Sequence, residues 1–334
     1  MADVLCLGEI LVDWVSTAVG VELEDCLTFT KAAGGAPANT AVGLARQGIS
    51  TGFIGRVSND CFGLWLRSIL QSADIDIQGT IVDSDSQTRM AYVVTTKTGD
   101  RKLAEFTRVA CADSRLSPED IKPQMFVDSV ILHFGSISLI SDSSSKATRE
   151  AIKLARLNNM LISYDPNLRL ALWSSPEVLR LTVLETLSLA DIVKINEDEL
   201  LFMTGSSTNE SADNFRKEFD IPLLIITKDK SGAYFSHTSG GYNLKGFEIK
   251  LVEATGAGDG FNAGILSALL PIVKEGINRR QALCDLTKTD ILNIGTRANA
   301  IGALVCTKPG AIPALPTKLE LENFMSSMKE TNLT

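Results

Sequence analysis

The segment Leu251–Leu270, LVEATGAGDGFNAGILSALL, holds the residues whose types and spacing best suit chemistry. Thr255-Gly256-Ala257-Gly258-Asp259 leads into an apolar-periodic run expected to be helical from Gly260 to Ile272. Small residues at 256–258 let backbone N–H groups approach a ligand closely, and a helix N-terminus adds partial positive charge. Together they suit a phosphate or a developing oxyanion. An ionised Asp259 beside that hole can accept the proton of an attacking hydroxyl during phosphoryl transfer. The same pattern also fits a glycine-rich turn whose acid only complements the helix dipole.

Two other glycine motifs are excluded. No GxxxxGK[ST] occurs, and Phe261 stands where GxGxxG would need glycine.

Four more polar clusters sit at turns or strand ends. Gly34-Gly35-Ala36-Pro37-Ala38-Asn39 opens a helix, and Asn39 is either an N-cap or a donor to polyol hydroxyls. Asp13, closing the run Gly8–Asp13 at the end of the first strand, is a bidentate acceptor for sugar hydroxyls or a solvated loop acid. Ligands of open α/β sheets bind at strand ends. Tyr164-Asp165-Pro166-Asn167-Leu168-Arg169 is a turn former that also presents an acid, an amide and a guanidinium. Asn196 and Glu199 have capping-box spacing and also suit water-mediated Mg²⁺ binding.

Positioning these groups requires strands alternating with helices. Apolar runs at VLCLGEILV, GFIGRV, SVILHFGS, LISYDPN, DIVKIN and LLIITK read as strands, several apolar throughout, as in parallel sheets covered on both faces. Helical patterns fall at 39–47, 62–72, 143–158, 177–189 and 212–219. This alternation predicts a doubly wound α/β layer. From Thr80 to Val109, two half-polar strands flank a Thr-Gly-Asp turn with no helix between them, which predicts an antiparallel flap. No linker or repeat divides the chain, so one domain plus a lid is expected.

Composition narrows the function. The 334 residues carry 32 Lys+Arg against 40 Asp+Glu, a formal charge of −8, with no basic stripe for nucleic acid. The longest apolar stretches are too short to span a bilayer, and an acid at position 3 does not fit a secretory leader, so a cytoplasmic protein is expected. Six cysteines without CxxC spacing indicate neither a disulfide framework nor a zinc site. With only His133 and His237 available, a serine-hydrolase triad or a His-rich metal centre has little material, and His133 reads as a core histidine.

Gly34–Asn39, Asp165-Pro166-Asn167, Asn196–Glu199 and Thr255–Asp259 occur in the order found in the ribokinase-like, or PfkB, sugar kinases, and the chain resembles that family from GEILVD to KPGAIPALP. Within the family it looks most like fructokinases, through HFGSISLI, SYDPNLRLALW, ADIVKINEDELLFMTG and the Arg108…Ala112-Asp113 spacing. The resemblance implies a three-layer α/β/α fold over residues 1–334, with a mostly parallel sheet and a small β lid within 14–33 and 80–112. It also implies a homodimer through the lids and ATP-dependent phosphorylation of a sugar, D-fructose first and 2-keto-3-deoxygluconate as the alternative. A non-catalytic relative that keeps only the fold is the remaining reading.

By the same resemblance Asp259 is the base, and Gly256, Ala257 and Gly258 form the anion hole. Asp13, Gly34, Gly35 and Asn39 bind sugar; Arg108, Asp165 and Arg169 contact substrate or phosphate; Asn196 and Glu199 organise Mg²⁺, Glu199 through water. Thr227 and Gly232 belong to the nucleotide turn, and Asn299 borders the adenine pocket. Three positions depart from the family pattern. Glu253 replaces an Asp that helps hold a monovalent cation, which argues against K⁺ as a cofactor. Asp229 replaces the middle glycine of the nucleotide turn, at a position where Asp tolerates left-handed geometry. Gly260 stands where Ala or Ser is usual, a helix penalty of about 1 kcal/mol.

Overall fold

The computed structural model describes residues 2–97, 101–108 and 111–331. In chain order its strands are Val4–Leu7 (β1), Leu11–Val19 (β2), Phe29–Gly34 (β3), Thr51–Ser58 (β4), Asp76–Asp83 (β5), Met90–Thr95 (β6) and Arg101–Phe106 (β7). Then follow Ile131–Gly135 (β8), Leu161–Asp165 (β9), Ile192–Asn196 (β10), Leu223–Thr227 (β11), Ala233–His237 (β12) and Gly240–Leu244 (β13). Nine form one sheet in the order β13-β12-β11-β10-β9-β8-β1-β4-β5, and four form a second, β3-β2-β6-β7.

The strand runs are apolar throughout because the large sheet is covered on both faces. Side chains alternate across it: Val4, Cys6, Ile131, Leu161, Ile192, Leu223 and Ile225 enter one core. Their neighbours Leu5, Leu7, Leu132, Ile162, Val193 and Leu224 enter the other. Helices Ala36–Arg46, Ala257–Val273 and Lys288–Val305 supply the first core, and Asp142–Leu157, Pro176–Leu187, Glu197–Thr204 and Asn209–Glu218 the second. The result is the expected three-layer α/β/α arrangement.

Small residues bring the site helices together. A Cβ on Gly43 would lie 2.7 Å from Ala263 Cβ, and one on Gly264 would lie 2.6 Å from Ala298 Cα. Helix 257–273 is therefore clamped between helices 36–46 and 288–305 at near-backbone contact, which fixes where its N-terminus points.

Several sequence expectations are corrected. The run VLCLGEILV is two strands rather than one: Gly8 (φ 149°) lets the chain leave the large sheet after β1 and enter the small one as β2. Asp13 thus lies inside β2, paired with Ala32 and Ala91, and not at the end of the first strand. Residues 80–83 belong to the edge strand β5, so the antiparallel hairpin begins at Met90. Its Thr98-Gly99-Asp100 turn and Val109 lie outside the described residues. Several elements escaped the reading, helix Lys318–Thr331 among them. The β12–β13 hairpin caps one edge of the large sheet antiparallel, and helix 288–305 buries Ile291, Ile294, Ala298, Ile301 and Val305 at helical spacing. β3 is half exposed and does not alternate strictly.

Candidate active site

Gly256 (φ 82°) is the N-cap of helix Ala257–Val273, so the small-residue turn and the helix are continuous and begin three residues earlier than periodicity indicated. Asp259 is in the first turn. Ala257 N–H donates to Ala254 O at 3.1 Å, so its amide is withdrawn from the expected hole. The N–H groups of Gly258 and Asp259 are in the first turn, where no intrahelical carbonyl precedes them.

Asn39 is not an N-cap; Gly35 (φ 105°) is. Asn39 sits one turn in and donates its amide to Asp259 Oδ2 at 2.8 Å, while Thr40 Oγ1 donates to Asp259 O at 3.4 Å. Gly35 must be glycine, because a Cβ would lie 2.5 Å from Glu9 O. Burial pushes the Asp259 carboxyl up to about 6, opposed by the Asn39 hydrogen bond, with Asp165 adding to the rise and Lys194 and Arg169 drawing it back. The helix dipole alone favours the ionised acid. Desolvation outweighs it here.

At the ends of β9 and β10, Asp165 Oδ2 receives Lys194 Nζ at 3.1 Å and Asn262 Nδ2 at 2.7 Å. Asn39 Oδ1 and Asp165 Oδ1 are buried with no protein partner. Asn196 and Glu199 form the capping box: Asn196 N donates to Glu199 Oε2 at 2.9 Å, and Glu199 N to Asn196 Oδ1 at 2.8 Å. Leu168 N donates to Glu199 Oε1 at 2.7 Å, which ties the Asp165–Arg169 turn to helix 197–204. Burial raises Glu199, and Asp165 adds to it.

The small sheet brings Asp13 over this floor. Burial pushes its carboxyl up to about 6, with Arg101 and Arg169 restraining it. A Cβ on Gly34 would sit 2.2 Å from Asp13 Oδ2, so only glycine leaves that carboxylate its room. From β7, Arg101 pairs with Glu253 Oε2 at 2.7 Å, and Gly310 N donates to the same oxygen at 3.0 Å. That ion pair joins the small sheet to the segment preceding the 256–258 turn.

Other expected residues fall further out. Arg108 is exposed and lines a groove with Leu23, Phe29, Tyr92 and Glu105. Phe29, Tyr92 and Glu105 of that groove are on the face opposite Asp13, whereas Phe106, the partner of Ala91, is on Asp13's own face. Thr227 and Gly232 (φ 96°) bracket a tight turn closed by Lys228 N donating to Gly232 O at 2.8 Å. Asp229 takes φ 44°, the left-handed geometry its side chain tolerates. Asn299 is buried and donates to Lys245 O at 3.1 Å, which ties its helix to the chain after β13. His133 is a core histidine, bonded through Nδ1 to Ser163 Oγ at 3.0 Å.

Sequence reasoning assigned no role to Lys194 or Asn262. Glu9 was missed as well: its Oε1 accepts from Ala36 N at 3.2 Å, and burial pushes it up to about 7. A polar residue inside an apolar strand or helix, such as Lys194 in DIVKIN or Asn262 in GFNAG, was the available signal.

The profile of the pfkB family carbohydrate kinases matches residues 1–318. An Arabidopsis thaliana protein named "Probable fructokinase-7" is 37% identical over 333 residues, covering 98% of this chain and 93% of that protein. A Vibrio cholerae O395 fructokinase double mutant, solved with fructose, ADP and potassium ion, superposes with a TM-score of 0.82 at 32% identity, over 97% of this chain and 98% of the other. A Xylella fastidiosa fructokinase with bound ATP superposes with a TM-score of 0.86 at 26% identity, over 98% and 100% of the two chains. The chain belongs to the pfkB family of carbohydrate kinases and is an ATP-dependent sugar kinase. Among the described residues no helix is long and apolar enough to cross a membrane.

Proposed function

We propose that this kinase transfers the γ-phosphoryl group of ATP to the terminal hydroxyl of D-fructose, giving fructose 6-phosphate and ADP. The reading rests chiefly on Asp259, buried at the helix N-terminus and oriented by the 2.8 Å bond from Asn39. Asp13 accepts hydrogen bonds from sugar hydroxyls in the space left by Gly34 and Gly35. Asp259 takes the proton of the attacking hydroxyl, and the first-turn N–H groups of Gly258 and Asp259 receive the charge of the transferring phosphoryl oxygens. The turn from Thr227 to Gly232 and the helix bearing Asn299 border the nucleotide. The small sheet acts as the lid that keeps water from the phosphoryl group, and its outer groove, lined by Phe29 and Tyr92, supports a homodimer through the lids.

Mg²⁺ supplies charge neutralisation on the phosphates when bound. Both oxygens of Glu199 already accept backbone N–H groups, and among the described residues no three acids or His/Cys side chains cluster to hold a metal. This donor set fits a hydrated ion carried by the nucleotide, with Glu199 reaching it through water and Asn196 fixing Glu199.

A monovalent cation fits less well. Glu253 carries the Arg101 guanidinium on Oε2, which compensates its charge from within the chain, while its Oε1 is buried with no protein partner. Exchanging K⁺ for tetramethylammonium is expected to leave kcat unchanged; strong activation by K⁺ would show that Arg101 does not serve this purpose.

The 2-keto-3-deoxygluconate alternative needs a cation for the substrate carboxylate, and four arginines were available to it. Arg89 is paired with Asp113 at 2.7 Å, Arg101 with Glu253, and Arg108 is exposed beyond the end of β7. Arg169 acts on both Asp13 and Asp259, and Arg101 acts on Asp13 while its guanidinium is committed to Glu253. This favours a neutral sugar. ADP release from Mg-ATP over fructose, ribose, 2-keto-3-deoxygluconate and adenosine is the test, with fructose expected to give the highest kcat/KM. Preference for the keto-acid would keep the mechanism and overturn the substrate. No turnover on any of the four by folded, ATP-binding protein would favour the non-catalytic reading.

A further inference from the structure

The floor of the site contains an ammonium to which the mechanism above gives no task. Lys194 is on β10 between Val193 and Ile195, both sealed in the core, and is itself 8% exposed. Burying an unpaired ammonium is costly, so a lysine is retained at such a place only where acids compensate it. Its Nζ is 3.1 Å from Asp165 Oδ2, and the Asn262 amide holds the same oxygen from the other side at 2.7 Å. Nζ also packs against the anion-hole turn: a Cβ on Gly258 would lie 3.0 Å from it. The ammonium is thus wedged between Asp165 and the backbone immediately preceding Asp259.

We propose that Lys194 is a positioning residue of the transfer step: it anchors the Asp165 carboxylate against Asn262 and keeps the neighbouring Asp259 ionised as proton acceptor. The inference rests on the kinase reading above.

The groups that bear on Asp259 come from several elements. Asp165 on β9 opposes its ionisation; Lys194 on β10 and Arg169 beyond β9 favour it, and Asn39 of helix 36–46 donates to it. Glu199 of helix 197–204 and Asp165 act on Lys194 together with Asp259, and the three acids hold the ammonium charged although burial opposes it. His133 on β8 faces the same pair of Asp165 and Lys194 and is lowered to about 4, so it is neutral at working pH. Removing the Lys194 charge leaves Asp165 facing Asp259 with the Asn39 hydrogen bond and Arg169 to offset it. The acid then binds its proton more tightly, and the base is lost at a higher pH.

The experiment measures kcat/KM for sugar against pH in Lys194→Met, Lys194→Gln and Lys194→Arg, with fold checked by circular dichroism. The Asp259 carboxyl of each free protein is titrated in parallel by carbon-13 NMR, a readout that needs no turnover. Lys194→Gln keeps a donor towards Asp165 without the charge, so it remains informative if the methionine variant fails to fold. The acid limb and the Asp259 titration are both expected to move up by about one pH unit or more in the uncharged variants, and Lys194→Arg should restore them. An unmoved Asp259 titration, or a loss of rate equal at every pH, would overturn the proposal. A wild-type protein inactive on every sugar would instead defeat the kinase reading, and the NMR titration would still decide the role of Lys194.

Discussion

Asp259→Asn is expected to fold, bind ATP with unchanged affinity and phosphorylate fructose about a thousandfold more slowly than the native chain, within the range of general-base contributions. Asparagine is isosteric and still meets the Asn39 side chain that now donates to Asp259 at 2.8 Å, so the helix start and its N–H groups stay in place. What disappears is the only group in the first turn that can take the hydroxyl proton. Steady-state kcat with a calorimetric ATP titration checks the result; a fall of less than about tenfold would show that proton transfer does not limit the reaction and that another acceptor serves.

The same carboxyl sets a pH dependence. Asp259 and Asp13 are both pushed up to about 6 by burial. Each must be ionised, one to accept a proton and the other to accept hydroxyl hydrogen bonds. A raised carboxyl is protonated below its pKa, so kcat/KM is lost as pH falls through 6 and recovers above it. With two such groups the acid limb is expected to approach a slope of two, and in Asp13→Asn it should relax to one.

Asp13→Ala is the second large effect. A charged acceptor taking two sugar hydroxyls contributes about 1.5–3 kcal/mol per hydrogen bond, so kcat/KM for fructose is expected to fall about 10²- to 10⁴-fold. KM for ATP should not change, because Asp13 belongs to the small sheet rather than to the nucleotide-bordering elements. Gly34→Ala should reproduce the defect with the charge intact, since its methyl would lie 2.2 Å from Asp13 Oδ2. A loss shared equally by ATP and fructose would mean that the small sheet had been disrupted as a whole.

Much of this molecule was legible before any coordinates. The apolar runs of β1, β8, β9, β10 and β11 declare a covered parallel sheet, because nothing else buries both faces of a short strand. The small residues at 256–258 followed by Asp259 mark a close-approach turn on a helix, and Asn196 with Glu199 spells the capping box that the structure contains. These are local signals: backbone freedom, capping geometry and hydrophobic period all act within a few residues of chain.

Tertiary structure decided the rest. That Asn39 orients Asp259 across 220 positions follows from glycines 43 and 264, which let three helices meet, and no local pattern announces such a meeting. That Asp13 faces the floor from a second sheet depends on the turn at Gly8, which splits an apolar run that reads as one strand. The structure keeps Asp259 available as an ionised acceptor above about pH 6 but raises its carboxyl, because a dipole argument sees only the helix that carries the acid. Its desolvation, and the charges of Asp165, Lys194 and Arg169, exist only once distant segments have packed around it. Residue types and their order determined the family and the repertoire of groups; long-range packing determined which of them meet, which are buried, and therefore how each one titrates.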